Sequence, residues 1–352
     1  MRQARRAFLR GLAASGTSAA LCNAFAHFDG RVMAQDGELF AGFGPLRETI
    51  DFVTGLPLVK LPEGFRYISF GWTNEPLADG SRTPAAHDGM AVIHEAEGKI
   101  VLCRNHEVGG PAKAFGRDGE SYDEFGAGGC TNLVFDRRRE EFVSAMPSLS
   151  GTVKNCAGGA TPWGTWLSCE ETLLDPQSEL DDGNPLKKPH GFVFEVPVDG
   201  QREPRPLEAL GRFVHEAVAI DPASGIVYLT EDTGTAGLYR LIPNTAGDLH
   251  AGGRLQMMAA RGVADVRKRV APQAQYDVYW VDIADPLLAH SPGTKNGLGV
   301  FQQGKVQGGL TFARLEGCAV HDGMVFITAT SGGDAESGQL WRYDPREEQL
   351  LL

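Results

Sequence analysis

Positive charge is scarce in this sequence: 33 Lys and Arg stand against 45 Asp and Glu, a formal net charge of −12 over 352 residues. Neutralising a nucleic-acid backbone takes a basic patch, and none is visible, so nucleic acid is excluded as a partner. Nor does an uninterrupted run of 18 apolar residues occur after the N-terminal segment, which argues against a membrane anchor. Long stretches of helical period are also few. Instead, short apolar runs are separated by 45 Gly and 20 Pro, the pattern of a β-rich chain with minor helices. No Gly-x-Ser-x-Gly elbow occurs that would supply a serine nucleophile. A hydrophobic content of 42% with 22% charged residues excludes general disorder.

The first residues read separately. Arg2, Arg5, Arg6 and Arg10 precede a mildly apolar run that ends in a small-x-small site at Ala24-Phe25-Ala26. Residues 1–26 are therefore expected to be a signal peptide. The adjacent Arg5 and Arg6 before Phe8 and Leu9 resemble a twin-arginine signal, which implies export of the folded protein by the Tat machinery to the periplasm or beyond. Loss of residues 1–26 removes four arginines and no acid, taking the net charge from −12 to −16. An acidic exported protein is a natural partner for multivalent cations. Cys22 would leave with the signal, and Leu21 before it does not fit a lipoprotein site. The remaining Cys103, Cys130, Cys156, Cys169 and Cys318 are an odd set, so at least one thiol stays unpaired within the chain. Cys103 and Cys318 lie in strand-like runs and are expected to be inert core residues.

An internal repeat organises the rest. "HEAVAIDPASGIVYLTED" from His215 and "LEGCAVHDGMVFITATSG" from Leu315 each give a strand, a tight turn and a second strand, then run on into "GLYRLIP" and "GQLWRYDP". "HDGMAVIHEAEGKIVLCRNHE" from His87 and "NCAGGATPWGTWLSCEE" from Asn155 fit the same template. Four copies of such a unit predict a β-propeller. Aligned, the copies place Asp88, Cys156, Glu216 and Glu316 at the entrance of the first strand, while the second strands end in "RNHE", "SCEE", "LTED" and "TATS". Innermost strands converge on the propeller axis, so these positions should form a ring. Hard oxygens in it suit Ca²⁺, and one thiolate suits a transition metal such as iron. Any one of these carboxylates, taken alone, reads as a turn former or a solvated side chain. Trp163 and Trp166 read as packing, and His87, His215 and His321, at equivalent edges, as hydrogen-bonded spacers.

"NCAGGATPWGTWLSCEE", "GRFVHEAVAIDP", "RNHE" and "RLEG" resemble the PhoX-type alkaline phosphatases, a family of Tat-exported β-propellers, with similarity from Gly42 to Pro345. The resemblance implies an all-β propeller of about six blades that hydrolyses phosphate monoesters at an iron and calcium cluster. It also implies roles. Cys156 matches the thiolate ligand of iron and Glu216 a ligand shared by the cluster, Glu316 matches a calcium carboxylate, and Arg314 matches the arginine that holds phosphate. Glu107, Glu170 and Glu171 fall in family motifs, and Asp88 and Asp232 follow from the repeat. The expected division is a signal over 1–26, an extension over 27–59 and a propeller over 60–352, with an insertion near 246–310 and a helix at "PLLAH". The family continues past the "LWRY" strand, so one or two blades of ~40–50 residues are expected to be missing here. A calcium-stabilised binding propeller without hydrolase activity and a calcium-dependent propeller lactonase stand as alternatives, and the lactonase has no use for Cys156 or Arg314.

Overall fold

The structure is a computed structural model describing residues 43–180, 183–201 and 203–352, so the expected signal peptide lies outside the described residues. Contacts divide the chain between Trp72 and Thr73. The first unit contains an antiparallel pair, β1 (Arg47–Ile50) and β2 (Pro57–Leu61). The buried Asp51 carboxylate organises it, accepting from the Thr54 and Ser69 backbone at 2.9 and 2.8 Å and from the Ser69 hydroxyl at 2.6 Å. No helix among the described residues is long and apolar enough to cross a membrane.

The second unit is built from four antiparallel blades. They are β3 (His87–Ala96) to β4 (Lys99–His106), β5 (Gly128–Asp136) and β6 (Glu141–Thr152); then β7 (Asn155–Ala160), β8 (Trp166–Glu170) and β9 (Val193–Val196). The third blade runs through β10 (His215–Ile220), β11 (Val227–Glu231), β12 (Leu238–Thr245) and β13 (Asp248–Ala260), and the fourth through β15 (Leu315–His321), β16 (Met324–Ala329), β17 (Gln339–Asp344) and β18 (Gln349–Leu351). Between them β14 (Gln275–Asp282) pairs with both β13 and β18, welding the last two blades into one nine-stranded sheet. The first strands lie side by side, β3 against β7, β7 against β10 and β10 against β15. This is the innermost layer of a propeller.

Burial follows position in the stack. β8 and β11, each between two neighbouring blades, are buried at every residue, whereas β16 alternates between buried and half-buried positions. A strand covered on both faces has no polar side to show. Leu167, Val193, Val218, Leu229, Leu241 and Leu255 form the core between the second and third blades, and Tyr228, Trp341 and Tyr343 fill that between the third and fourth.

The segment 246–310 contributes β13 and β14, and its helix, α1 (Gly299–Lys305), begins further on than "PLLAH". Residues 286–290 form turns, braced by the Leu288 N–H to the Asp285 carbonyl at 3.3 Å. Pro286 and Pro292 bracket too few residues to repay helix nucleation.

Candidate metal and phosphate site

The four inner strands share one irregularity. His87 pairs with His106 and then Met90 with Arg104; Asn155 with Glu170 and then Gly158 with Ser168. In the same way His215 pairs with Glu231 and then Val218 with Leu229; Leu315 with Ala329 and then Cys318 with Ile327. In each blade three steps along the inner strand match two along its partner, a β-bulge. The bulged pairs are Asp88-Gly89, Cys156-Ala157, Glu216-Ala217 and Glu316-Gly317. A bulge re-aims a side chain out of the ordinary alternation. This is how four residues far apart in sequence come to equivalent places on adjoining strands.

A second recurrent contact closes each bulge. The N–H of the residue after the second strand donates to the carbonyl of the residue before the first: Glu107 to Ala86 at 2.7 Å, Glu171 to Lys154 at 2.9 Å, Asp232 to Val214 at 3.1 Å and Thr330 to Arg314 at 2.9 Å. Ala86, Lys154 and Arg314 adopt left-handed backbone, with φ of 49°, 53° and 47°. A side chain at positive φ costs on the order of 1–3 kcal/mol, and such strain clusters where function fixes the geometry. Two of the three strained residues are cations.

These cations lie among carboxylates. The Arg314 guanidinium grips Asp232 through Nε at 2.9 Å and Nη2 at 2.8 Å, and Nη2 is 2.8 Å from Glu316. Asp232 and Glu316 hold its charge more firmly than an ordinary arginine's. Thr330 donates to the same Glu316 carboxylate. Lys154 makes the corresponding bridge between the first two blades, 2.7 Å from Glu171 and 3.7 Å from Glu107. Glu107 in turn lies beside Asp88. Between the two cations, one ligand atom each from Cys156, Glu171 and Glu216 lie within 4.8 Å of one another.

Asp88, Glu107, Glu171, Glu216, Asp232 and Glu316 thus share one region, and among the described residues the cations paired with them are Lys154 and Arg314. Burial, and then the charges of Glu171, Asp232 and Glu316, push Glu216 up to about 7 despite its bond to Cys156. Burial and the Glu216 carboxylate push the Cys156 thiol well up. Asp88 and Glu171 are raised as well, chiefly by burial. Such crowding of like charge is relieved by a multivalent cation, which would also favour the thiolate. The donor set fits: carboxylate oxygens with one thiol within ligating distance of one another.

Glu170 is placed apart from its neighbour. It is fully buried, accepting from the Val153, Gly191 and Phe192 N–H groups at 2.8, 2.8 and 3.1 Å and from His190 Nδ1 at 2.6 Å. With both oxygens so engaged it fixes the backbone beside Lys154. Burial alone would favour neutral His190, but the charges of Glu170 and Asp123 outweigh it and hold its pKa above the usual histidine value.

Other residues were not singled out by their sequence. The buried Asn105 side chain donates to the bulge carbonyls of Cys156 and Ala157 at 3.1 and 2.7 Å, and its oxygen accepts from Trp166 Nε1 and Ser168 Oγ, both at 2.9 Å. At the matching place Thr230 accepts from the Ala217 N–H and donates to the Glu316 carbonyl, both at 2.8 Å, and Thr328 accepts from the Gly317 N–H at 2.8 Å. Polar residues one place before the end of three of the four second strands were the available signal. Trp166 packs as expected, and Trp163 Nε1 donates to Glu195 at 2.7 Å. His87 and His215 bond the Pro84 and Gly211 carbonyls at 3.1 and 3.0 Å. His321 is different: it ends β15, exposed, and the repeat position belongs to Leu315. Cys103 is fully buried, Cys318 half-buried, and all five described cysteines are free.

The bulges leave little room. A Cβ at Gly89 would lie 2.8 Å from Ala157 Cα and 2.9 Å from the Cys156 carbonyl oxygen. Gly89→Ala is therefore expected to lower stability by about 1–3 kcal/mol through overpacking, read as a lower denaturant midpoint. An unchanged midpoint would show that the adjoining bulges are not in rigid contact.

The alkaline phosphatase PhoX family model matches residues 41–149 and 144–351. Among solved structures, Pseudomonas fluorescens PhoX in complex with vanadate, a transition state analogue, is 18% identical, with 80% of this chain and 70% of that one covered at a TM-score of 0.55. That likeness shows a shared fold. A structural genomics protein of unknown function from Bacteroides thetaiotaomicron VPI-5482 is 12% identical, with coverages of 87% and 71% and a TM-score of 0.26. No curated protein matches in sequence.

Proposed function

The chain belongs to the alkaline phosphatase PhoX family, and from that premise we propose that it releases phosphate from phosphate monoesters at a metal cluster held by its inner strands. The observation that carries the reading is the grouping of Cys156, Glu171 and Glu216 within 4.8 Å, beside an arginine clamped by Asp232 and Glu316.

Iron(III) suits the thiol-containing group of Cys156, Glu171 and Glu216, and calcium suits the oxygen-only Asp88, Glu107 and Glu316. When bound, such cations offset the charge of a phosphate dianion and activate water as the nucleophile. The chain's own residues do the rest. Asp232 and Glu316 hold the Arg314 guanidinium in one orientation through Nε and Nη2, so its Nη1 amino group can meet the phosphate without first being ordered. Lys154, held by Glu171 and Glu107, supplies a second fixed positive charge. Asn105 and Thr230 keep the bulge backbone in place, and with it the Cys156 and Glu216 side chains. We also propose that residues 1–26 direct export through the Tat route, which would deliver a folded, metal-loaded enzyme to the periplasm.

Elemental analysis of protein purified without chelator, with p-nitrophenyl phosphate turnover measured on the same sample, tests the reading. Iron and calcium together with turnover are expected. Calcium without iron or turnover would replace it with the non-hydrolytic binding propeller.

A further inference from the structure

A cleft of about 790 Å³ is lined by Gly234, Ala313 and Ser331 and by Arg267, Lys268 and Arg269 with the acids Asp265 and Glu336. Ala313 and Ser331 are the chain neighbours of Arg314 and Thr330, and Gly234 follows Asp232 by two residues, so the cleft opens beside the clamped arginine. The basic wall comes from the loop between β13 and β14. That loop is built in, not draped over the surface: the Val266 N–H donates to the Thr311 carbonyl at 2.9 Å, the Gly333 N–H to the Arg267 carbonyl at 2.8 Å and the Arg269 N–H to the Asp334 carboxylate at 2.7 Å.

The cations of the cleft are not all engaged in ion pairs. Arg267 is engaged by Asp265, with Nη2 at 2.7 Å, and also donates to the Gly234 carbonyl at 3.0 Å. Lys268 is engaged by Glu336. Among the described residues the Arg269 guanidinium makes no ion pair, and its backbone is held at a φ of 59° by the Asp334 bond. Asp265, Asp334 and Glu336 match the three cations in number, but Asp334 takes the Arg269 backbone, so one guanidinium without an ion pair lines a preformed cleft near Arg314. The volume falls in the ordinary range for small-ligand sites, roughly 300–1,000 Å³.

We infer that this cleft receives the leaving group, and that the preferred substrates are phosphate esters whose leaving group carries a second anionic group, met by Arg269. The inference rests on the phosphatase reading and names the substrate class for that same site. Arg314 would take the phosphate to be released, and Arg269, bidentate by nature, the distal anion.

Fructose 1,6-bisphosphate and fructose 6-phosphate test it, since the first carries a second phosphate in place of a hydroxyl. The wild type should turn over the bisphosphate with a kcat/KM roughly tenfold higher, the scale of one charge-assisted contact. Arg269→Gln should bring the ratio to about two, the statistical value for two phosphates. Arg269→Gly, which suits the positive φ, should do the same, so a folding defect in the first variant does not decide the outcome. Lys295→Gln, on the exposed Lys295–Glu179 pair, should leave the ratio as it is. A wild-type ratio of two or less, or a tenfold ratio that survives in both Arg269 variants, overturns the inference. If neither ester is hydrolysed, the phosphatase reading fails, and calorimetric affinities for the same two esters decide the cleft: a tenfold difference lost in the variants upholds it, and equal affinities end it.

Discussion

Cys156→Ala is expected to yield a folded protein that has lost its transition metal and, with it, p-nitrophenyl phosphate turnover by on the order of 10³-fold. Cys156 sits on the bulge of β7, within the core cluster shared with β10 and with its thiol 3.4 Å from the His215 carbonyl. Removing one sulfur there costs about 1 kcal/mol of stability, so the fold should survive. Glu171 and Glu216 would remain, and with Asp88 and Glu316 they still form an acidic group able to keep calcium. The measurement pairs iron content with turnover, and a melting curve confirms the fold. Unchanged iron and unchanged rate would remove the thiol from the proposed chemistry and leave Cys156 as a packing residue.

The second large effect is at Arg314. Arg314→Lys is expected to lower kcat/KM for the same ester roughly 10²-fold, about 2.7 kcal/mol of transition-state stabilisation. The substitution keeps the charge and does not threaten the backbone, because the equivalent residue of the second blade is already a lysine at positive φ, Lys154 at 53°. What changes is the head group. A guanidinium can hold Asp232 through Nε and Nη2 and still present its Nη1 amino group to phosphate, whereas an ammonium is a point charge that cannot do both. Inhibition by inorganic phosphate should weaken in step. A variant within twofold of the wild type in both readings would move phosphate binding away from this residue.

The strand-turn-strand units were legible because each copy carries an apolar run, a turn and a second run, and that alone gave the propeller. Asp88, Cys156, Glu216 and Glu316 were legible as a set because a repeat aligns them. What brings them to equivalent places was not. A bulge is a mismatch between two strands, so His87 to Met90 against His106 to Arg104 becomes visible only once the pairing is known. The left-handed residues were hidden for another reason: Ala86, Lys154 and Arg314 are not glycines, and nothing in their type announces a positive φ. Glu170 and Glu171 show the limit of motif reading. Glu170 ends β8 and Glu171 follows it, so one is buried with His190 while the other joins Cys156, and the motif alone gives no means of choosing. The cleft lined by Arg269 needed a loop between β13 and β14 to fold against Thr311 and Gly333, contacts across more than 40 residues of sequence.

The repeated bulge makes the inner strands a row of interchangeable sockets. Each offers the same bulge register, the same closing bond and a small residue behind the ligand position, so the residue it displays can change without redesign of the blade. Cys156 occupies a socket that holds a carboxylate in the three other blades. Hardness of the cluster is then a matter of one side chain, and a relative could exchange a redox-active metal for calcium, or the reverse, by a single substitution on an unaltered frame.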